Sequence, residues 1–416
     1  MRFCFKAVGG MKRTVFRDTG FFLGLFGLGM TYVFFPVFSK WQVLSSPDDA
    51  PFYPANYFFW QIEALLSGAN VLMFQRFFNI LAPVFCHEVA YIACVFLLGL
   101  SGLYYLRTQR LSLLASCGSG LLLAFSGYMF TLFCAGHLGF FYLISCIFWS
   151  LGLLSRCFET RKLIYFALLG CVLMWGEPGQ PDVWVLACGI LAFYAGWRLL
   201  ICVRMGVAGR HALVRILPCF LLTVVVAGLL GVQGMRQVFE QHLAGRDKQI
   251  AESSSHTGDD GTRDSATQEK QKAFDRWIFA TGWSLAPDDC AEFLIPGVFG
   301  NDSFRAPYPY WGRLGQPYDF QPGKMMPNYR QHTVYLGLVS LVLALCGVFA
   351  WFSSRRKNRV PPLLDTAVSC SQISDPQHQA SNSFLLTPNY TDVPFWCGVW
   401  VVCLILAMGR YTPVYK

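Results

Sequence analysis

Apolar runs of about 20 residues, separated by short polar segments, constrain this chain more than any other feature. The hydrocarbon core of a bilayer is about 30 Å thick, which requires roughly 20 apolar residues per helix. Backbone groups in lipid must be hydrogen-bonded within helices or closed barrels, and these long non-alternating runs favour helices. The sequence therefore predicts an all-α, polytopic transmembrane bundle with about nine spans. They lie near Gly20–Phe38, Val84–Leu106, Leu111–Met129, Leu138–Leu154, Leu163–Trp175, Val183–Val203, Ile216–Met235, Val334–Phe352 and Pro394–Gly409.

Short clusters of Arg and Lys occupy every second connection between these runs. An excess of Lys and Arg marks cytoplasmic loops, so the N-terminus is predicted to lie inside. The fifth run, Leu163–Trp175, rises only about 20 Å at 1.5 Å per residue. It either crosses together with the sixth or forms a re-entrant pair with it. The clusters are Arg2/Lys6/Lys12/Arg13/Arg17, Arg107/Arg110, Arg156/Arg161/Lys162, Arg198/Arg204/Arg210/Arg215 and Arg355/Arg356/Lys357/Arg359.

Composition supports a membrane protein and argues against nucleic-acid binding. Hydrophobic residues make up 54% and charged residues 14% of the chain, against about 25% charged in an average soluble protein. The net charge of +9 comes from short loops beside apolar runs, where it orients spans. Most of the 16 cysteines fall inside the apolar runs, where a thiol behaves as a small hydrophobe. The sequence contains no Cys-x-x-Cys pair, the spacing that is typical of a structural zinc site.

The chain divides into three parts. Residues 1–235 form a transmembrane core of seven helices with their outer loops, 236–333 form a long extracytoplasmic polar loop, and 334–416 contain the last two helices. Residues 244–274 are polar and low in complexity, which predicts a flexible or partly helical segment. The sequence stops a few residues beyond its last apolar run, and we expect a truncated C-terminus.

Asp48 and Asp49 lie in the first outer loop, just beyond the first helix. Two adjacent carboxylates can bind a divalent metal such as Mg or Mn, or one of them can act as a general base. The alternative interpretation is that Pro-Asp-Asp-Ala-Pro forms an ordinary turn with a helix cap.

Two shorter outer turns also carry polar side chains. His137 follows the third predicted helix, where a neutral imidazole can accept a proton or bind a sugar or phosphate. Glu177, Gln180 and Asp182 share a turn stiffened by two prolines, and rigid polar turns are common places for ligand contacts. The alternative for His137 is a side chain that only hydrogen-bonds backbone groups. The alternative for the second turn is an ordinary tight turn without a ligand.

The end of the long loop is the most distinctive stretch. Pro287 followed by acidic residues predicts the start of a helix. Arg330 and His332 come shortly before the next span. Aromatic side chains beside carboxylates and an arginine suit recognition of a carbohydrate or prenyl phosphate. An amphipathic helix on the membrane surface uses the same residue types.

Several of these segments resemble, in order and placement, the bacterial YfhO-like membrane proteins. That family is similar to the GT-C class of integral membrane glycosyltransferases. Two departures are that family members usually continue through several more helices and that the turn at Glu177 differs from the expected form. The segments are Trp283–Gly300, Tyr310–Gly312, Tyr335–Gly337, Leu406–Tyr415, and the turns at Gly127-Tyr128, Gly136-His137 and Gly176–Gln180.

The resemblance implies a multi-pass protein of the bacterial inner (plasma) membrane. It would take sugar from a polyprenyl-phosphate donor and transfer it to an extracytoplasmic acceptor of the cell envelope, such as a cell-wall polymer or lipid. In that class a carboxylate of the first outer loop commonly serves in catalysis, which maps onto Asp48 or Asp49. His137, Glu177, Gln180, Asp182, Arg330 and His332 are then the candidate substrate contacts.

Two other functions remain open from the sequence. The first is a lipid or solute transporter or flippase, although transporters usually show repeats and ionisable groups near the midplane. No repeat is evident here, and the predicted spans are almost uncharged. The second is a non-catalytic membrane scaffold that uses the polar loop to dock a partner glycosyltransferase.

Overall fold

Every element that the structure describes is a helix. The structure, a computed structural model, describes residues 20–33, 35, 86–135, 137–176, 180–204, 207–238, 271, 273, 274, 277, 281, 284–300, 335, 337–357 and 392–413. No strand occurs in these ranges, so the predicted all-α class is confirmed for this part of the chain.

Ten α-helices of eight residues or more occur in the described part of the chain. They are α1 Gly20–Val33, α2 Cys86–Thr108, α3 Leu113–Ala124, α4 Gly127–Ala135, α5 Leu138–Thr160, α6 Leu163–Trp175, α7 Pro181–Arg204, α8 Val207–Val238, α9 Leu338–Lys357 and α10 Val393–Ala407.

The third predicted helix is broken in two, so the prediction of one uninterrupted helix over Leu111–Met129 was wrong. α3 begins at a cap, where the Ser112 hydroxyl accepts the N–H of Ala115, and it ends at Phe125. The Ser126 hydroxyl then accepts the N–H of Met129 at 3.3 Å. Serine competes with the helical backbone for such bonds, which explains why it restarts a helix inside an apolar run.

Two groups of buried side chains form the core. The first joins α1, α2 and α3 with α4 and the start of α5, and it includes Phe22, Phe26 and Leu98. The second joins the end of α2 with α5, α6, α7, α8 and the start of α10, and it includes Phe166 and Tyr194. α2 and α5 contribute to both groups and connect them.

Small residues bring the helices into close contact. A Cβ on Gly170 of α6 would lie 2.7 Å from the carbonyl oxygen of Thr223 in α8. The Thr223 hydroxyl donates a 2.9 Å hydrogen bond back to the carbonyl of Phe166. Close backbone approach at small residues, joined by a side-chain hydrogen bond, is typical of helix packing in membranes.

Polar contacts define two ends of the bundle. α2 and α5 finish side by side, because Gln109 donates a 2.9 Å hydrogen bond to the Ser155 hydroxyl. Arg198, late in α7, pairs with Asp392 at the start of α10. α6 begins two residues after Arg161, which directly follows the last residue of α5. We call this end, where α2, α5 and α7 finish, the Arg161 end.

The opposite end, where α5 and α7 begin and α6 and α10 finish, is the His137 end. Tyr142 on the second turn of α5 packs edge-on against Trp175 at the end of α6, with ring centroids 5.5 Å apart. Tyr128 near the start of α4 donates its backbone N–H to the carbonyl of Tyr335 at 3.0 Å.

Two of the described helices are long and apolar enough to cross a membrane, Gly139–Thr160 in α5 and Asp182–Arg204 in α7. Of the apolar window of each helix, 61% of the first and 17% of the second is buried among other helices. Large apolar side chains also lie exposed on the outer faces of other helices, among them Val214 at 72%, Leu229 at 74% and Phe349 at 73%.

Candidate functional site

His137 sits at the start of α5, half-buried against Phe140, with ring centroids 5.8 Å apart. Its backbone N–H donates to the carbonyl of Leu132, and its carbonyl accepts the N–H of Phe140, so the turn is held on both sides. Desolvation by burial lowers the pKa of His137 below its ordinary value of 6.5. A lowered pKa favours the neutral imidazole, whose unprotonated nitrogen can accept a hydrogen bond.

The turn between α6 and α7 carries Gln180 and Asp182. The carbonyl of Gln180 accepts the backbone N–H of Trp184 at 2.8 Å. The Trp184 indole N–H donates a 2.7 Å bond to the carbonyl of Leu173 and so closes the turn. Asp182 lies exposed in the first turn of α7, where a carboxylate interacts favourably with the helix dipole.

Packing at Gly176 places this turn beside the start of α5. A Cβ on Gly176 would lie 3.2 Å from the Cβ of Cys146 and 3.3 Å from a methyl group of Leu143. His137 is less than two turns before Leu143 on the same helix. The predicted contacts His137, Gln180 and Asp182 therefore lie at the same end of the bundle.

Five further site residues predicted from the sequence lie outside the described residues. They are Asp48, Asp49, Glu177, Arg330 and His332.

Two of the family-like segments contact each other at the His137 end. The backbone N–H of Leu285 donates a 2.7 Å bond to the carbonyl of Ala407, the last residue of α10. The Ser284 hydroxyl accepts the backbone N–H of Arg410 at 3.1 Å, although the two residues are 126 positions apart. Gly409 adopts φ +44°, and a Cβ there would collide with the side chain of Ser284. Glycine is the residue that reaches this conformation without strain.

Asp289 and Glu292 are buried carboxylates that the sequence reasoning did not single out. Both lie on a short 3-10 helix, Asp288–Phe293, that begins directly after Pro287 as predicted. Asp289 is 2% exposed and Glu292 is 1% exposed. Their i, i+3 spacing puts both on one face of a 3-10 turn, and this spacing was the signal that could have found them.

A second polar cluster lies near the Arg161 end and was also missed. The Arg198 guanidinium donates to a carboxylate oxygen of Asp392 at 2.8 Å, and the Tyr194 hydroxyl donates to the same oxygen at 2.6 Å. Phe395 and Trp396 pack against Tyr194, with centroids 5.2 and 5.3 Å away. Tyr194 and Arg198 lie one helical turn apart on the same face of α7, which was the available sequence signal.

The described residues contain no group of three or more His, Cys, Asp or Glu side chains that could hold a metal ion.

No protein-family model, curated protein or solved structure matched the chain when it was compared with known proteins. The resemblance to YfhO-like proteins therefore rests on the sequence segments alone.

Proposed function

We propose that this chain is a multi-pass membrane glycosyltransferase of GT-C type. It transfers a sugar from a polyprenyl-phosphate donor to an acceptor of the cell envelope on the outer face of the bacterial inner membrane. The observation that carries this proposal is the collection of polar turns at the His137 end. The starts of α5 and α7 lie there, together with the contact between Ser284 and Arg410.

Exposed apolar surface supports the membrane part of the proposal. Phe193 of α7 is 76% exposed, and Leu229 of α8 and Phe349 of α9 are similarly exposed. Exposed apolar patches that exceed those of soluble monomers mark membrane or protein interfaces. A bilayer around these helices would cover such faces and leave the two polar ends in water.

Charge distribution supports the proposed sidedness. The Arg161 end carries Arg110, Arg161 and Lys162, and the positive-inside tendency assigns such an end to the cytoplasm. Each inter-helix polar contact described above joins segments that the sequence assigns to one face of the membrane. The His137 end is then extracytoplasmic, where lipid-linked sugar donors are used by the GT-C class.

The chemistry follows from the residue types at that end and from those that the sequence assigns to the outer face of the membrane. A carboxylate of Asp48 or Asp49 accepts the proton of the acceptor hydroxyl as its oxygen attacks the anomeric carbon. The bond from that carbon to the phosphate oxygen breaks, and the prenyl phosphate leaves with the bonding electrons. Arg330 stabilises the charge on the phosphate, and His137, Gln180 and Asp182 bind the sugar or phosphate. A Mg or Mn ion held by Asp48 and Asp49 would supply further charge stabilisation.

The decisive experiment is sugar transfer by the purified chain in detergent, without a membrane gradient. Polyprenyl-phosphate sugars serve as donors and envelope lipids as acceptors. Asp48→Asn or Asp49→Asn should reduce turnover by about 100-fold or more, which is the usual contribution of a general base. Asp375→Asn, in the stretch predicted to be cytoplasmic, is the matched control and should retain activity. Full activity in the double Asp48→Asn, Asp49→Asn variant would remove this pair from the mechanism.

Arg330→Lys tests the donor-binding role. The planar guanidinium can contact two phosphate oxygens at once, whereas an ammonium is a point charge. Donor affinity should therefore fall even though the charge is kept. An unchanged donor Kd in this variant would exclude bidentate phosphate binding by Arg330.

A transporter or flippase is the second candidate, and the pair of Arg198 with Asp392 favours it. Ionisable side chains buried among membrane helices are often part of substrate or ion pathways. Their presence qualifies the sequence argument that the spans are almost uncharged. Gradient-dependent uptake or lipid flipping by reconstituted protein, with no sugar transfer in detergent, would favour this function over the enzyme.

A further inference from the structure

Two arginines adopt the left-handed backbone conformation at the Arg161 end. Arg110 has φ 64° and Arg161 has φ 56°, and they are the non-glycine residues with positive φ in the described part of the chain. Arg110 lies two residues beyond α2, and Arg161 ends α5, with its N–H bonded to the carbonyl of Cys157. Glycine and asparagine adopt this conformation most readily, so an arginine there is strained.

Arg110 lies beside the end of α5, because α2 and α5 finish side by side and its guanidinium contacts Glu159. Glu159 accepts hydrogen bonds from Arg110 at 3.5 Å and from Arg156 at 3.2 Å. Arg161 follows Glu159 by two residues, and neither Arg161 nor Lys162 forms an ion pair within the described ranges. The turns thus carry five cations against one carboxylate: Arg107, Arg110, Arg156, Arg161 and Lys162 against Glu159.

Exposed apolar side chains adjoin these cations on the neighbouring helices. Leu163 and Ile164 follow Lys162 directly and are 60% and 57% exposed. Leu114, in the first turn of α3, is 69% exposed. Cations at the end of a bundle with apolar side chains just beyond them match a molecule that has an anionic head and apolar chains.

We propose that Arg110, Arg161 and Lys162 form a binding site for the phosphate of an anionic phospholipid, with its acyl chains along Leu163 and Ile164. The proposal rests on the membrane-spanning arrangement of the proposed function. Favourable interaction with the carbonyl ends of α2 and α5 accounts for positive charge at these positions. This interaction does not explain why the left-handed positions hold arginine when glycine would relieve the strain. Strained backbone of this kind is concentrated at ligand sites.

The test measures lipid selectivity in the full chain, reconstituted in phosphatidylcholine bilayers. Spin-labelled phosphatidylglycerol and spin-labelled phosphatidylcholine report how strongly each lipid associates with the protein surface. Arg110→Gly and Arg161→Gly each remove a cation and suit the left-handed position, so folding should be preserved. Each should lower the preference for phosphatidylglycerol by about fivefold, and high salt should act in the same direction.

Arg410→Gln is the matched control, because it removes one cation from the His137 end and should leave the preference unchanged. Arg161→Lys keeps the charge and should retain most of the preference for phosphatidylglycerol. Equal selectivity in wild type and the double glycine variant would overturn the site. Loss of selectivity in sodium phosphate, but not in sodium chloride of the same ionic strength, would assign the site to free phosphate and overturn the lipid proposal.

Failure of the membrane arrangement gives a different result. A chain that does not span the bilayer would immobilise neither spin-labelled lipid. Failure of the glycosyltransferase activity alone would leave the lipid preference intact.

Discussion

Arg198 and Asp392 form a 2.8 Å ion pair although they are 194 residues apart in sequence. The pair joins the middle of the chain to the last described helix. Both side chains are largely removed from solvent, at 14% and 7% exposure. Asp392 uses one carboxylate oxygen for both Arg198 and Tyr194, and its other oxygen is buried without a hydrogen-bond partner in the described residues.

Removing one member of this pair should be more damaging than removing both. Asp392→Ala leaves the Arg198 guanidinium buried without its carboxylate, which typically costs about 3–5 kcal/mol. The double variant Arg198→Met with Asp392→Leu replaces the pair with apolar groups and should be considerably more stable than Asp392→Ala. Thermal unfolding in detergent measures the stability of the single and the double variant. Arg204→Met, at an exposed position of the same helix, should change stability by less than about 0.5 kcal/mol. Equal destabilisation by the single and double variants would contradict this account.

Gly409→Ala should destabilise the contact between α10 and the segment at Ser284. Alanine at φ +44° is strained, and its methyl group would collide with the Ser284 side chain. We expect a loss of more than about 1 kcal/mol, measured by thermal unfolding. Gly398→Ala is the matched control, because a Cβ there meets nothing within 4 Å in the middle of α10. That change should be neutral or stabilising by about 0.5–1 kcal/mol.

The fold should lose stability as the pH falls below about 6.5, because His137 takes up a proton more readily in the unfolded state. Its pKa is lowered in the folded state by burial, so the unfolded state binds a proton first as the solution becomes acidic. Proton binding to the unfolded state then favours unfolding. The difference in Tm between wild type and His137→Gln should therefore change as the pH passes downward through this range, with wild type losing more stability. Parallel Tm curves for the two proteins between pH 8 and pH 5 would contradict a lowered pKa.

Cysteine labelling tests the proposed sidedness. In a cysteine-depleted chain, single cysteines at Ser46 and Ser303 should react with an impermeant reagent in intact cells. A cysteine at Ser354 should react only after the membrane is opened. Reaction of the cysteine at Ser354 from outside would contradict the proposed sidedness, on which the functional proposals depend.

Hydropathy predicted the helices well because it measures the property that forms them. α6 has the predicted bounds, Leu163–Trp175, and each of the other predicted apolar runs overlaps a described helix. Hydropathy failed at Ser126, where a hydroxyl interrupts an apolar run, and at α8, which extends beyond Ile216–Met235 at both ends. A helix continues wherever its backbone bonds continue, and these do not require apolar side chains.

The long-range contacts could not be predicted in the same way. Asp392 stands at the boundary of a polar stretch and gives no signal that its partner is Arg198. Ser284 and Arg410 belong to segments noticed separately, and their contact depends on how α10 crosses the bundle. His137, Gln180 and Asp182 were found because polar residues in short turns between apolar runs are visible without tertiary information.

The order of synthesis has a consequence for α10. Its two ends are held by residues made much earlier, Arg198 at one end and Leu285 at the other, and none of its own residues is buried. While the chain is being made, the segment at Ser284 emerges long before Ala407 exists to accept its hydrogen bond. More than a hundred further residues are therefore synthesised before that segment can form its hydrogen bond with α10. At about 5–20 residues per second this interval lasts several seconds or longer, during which proteases and chaperones have access to it.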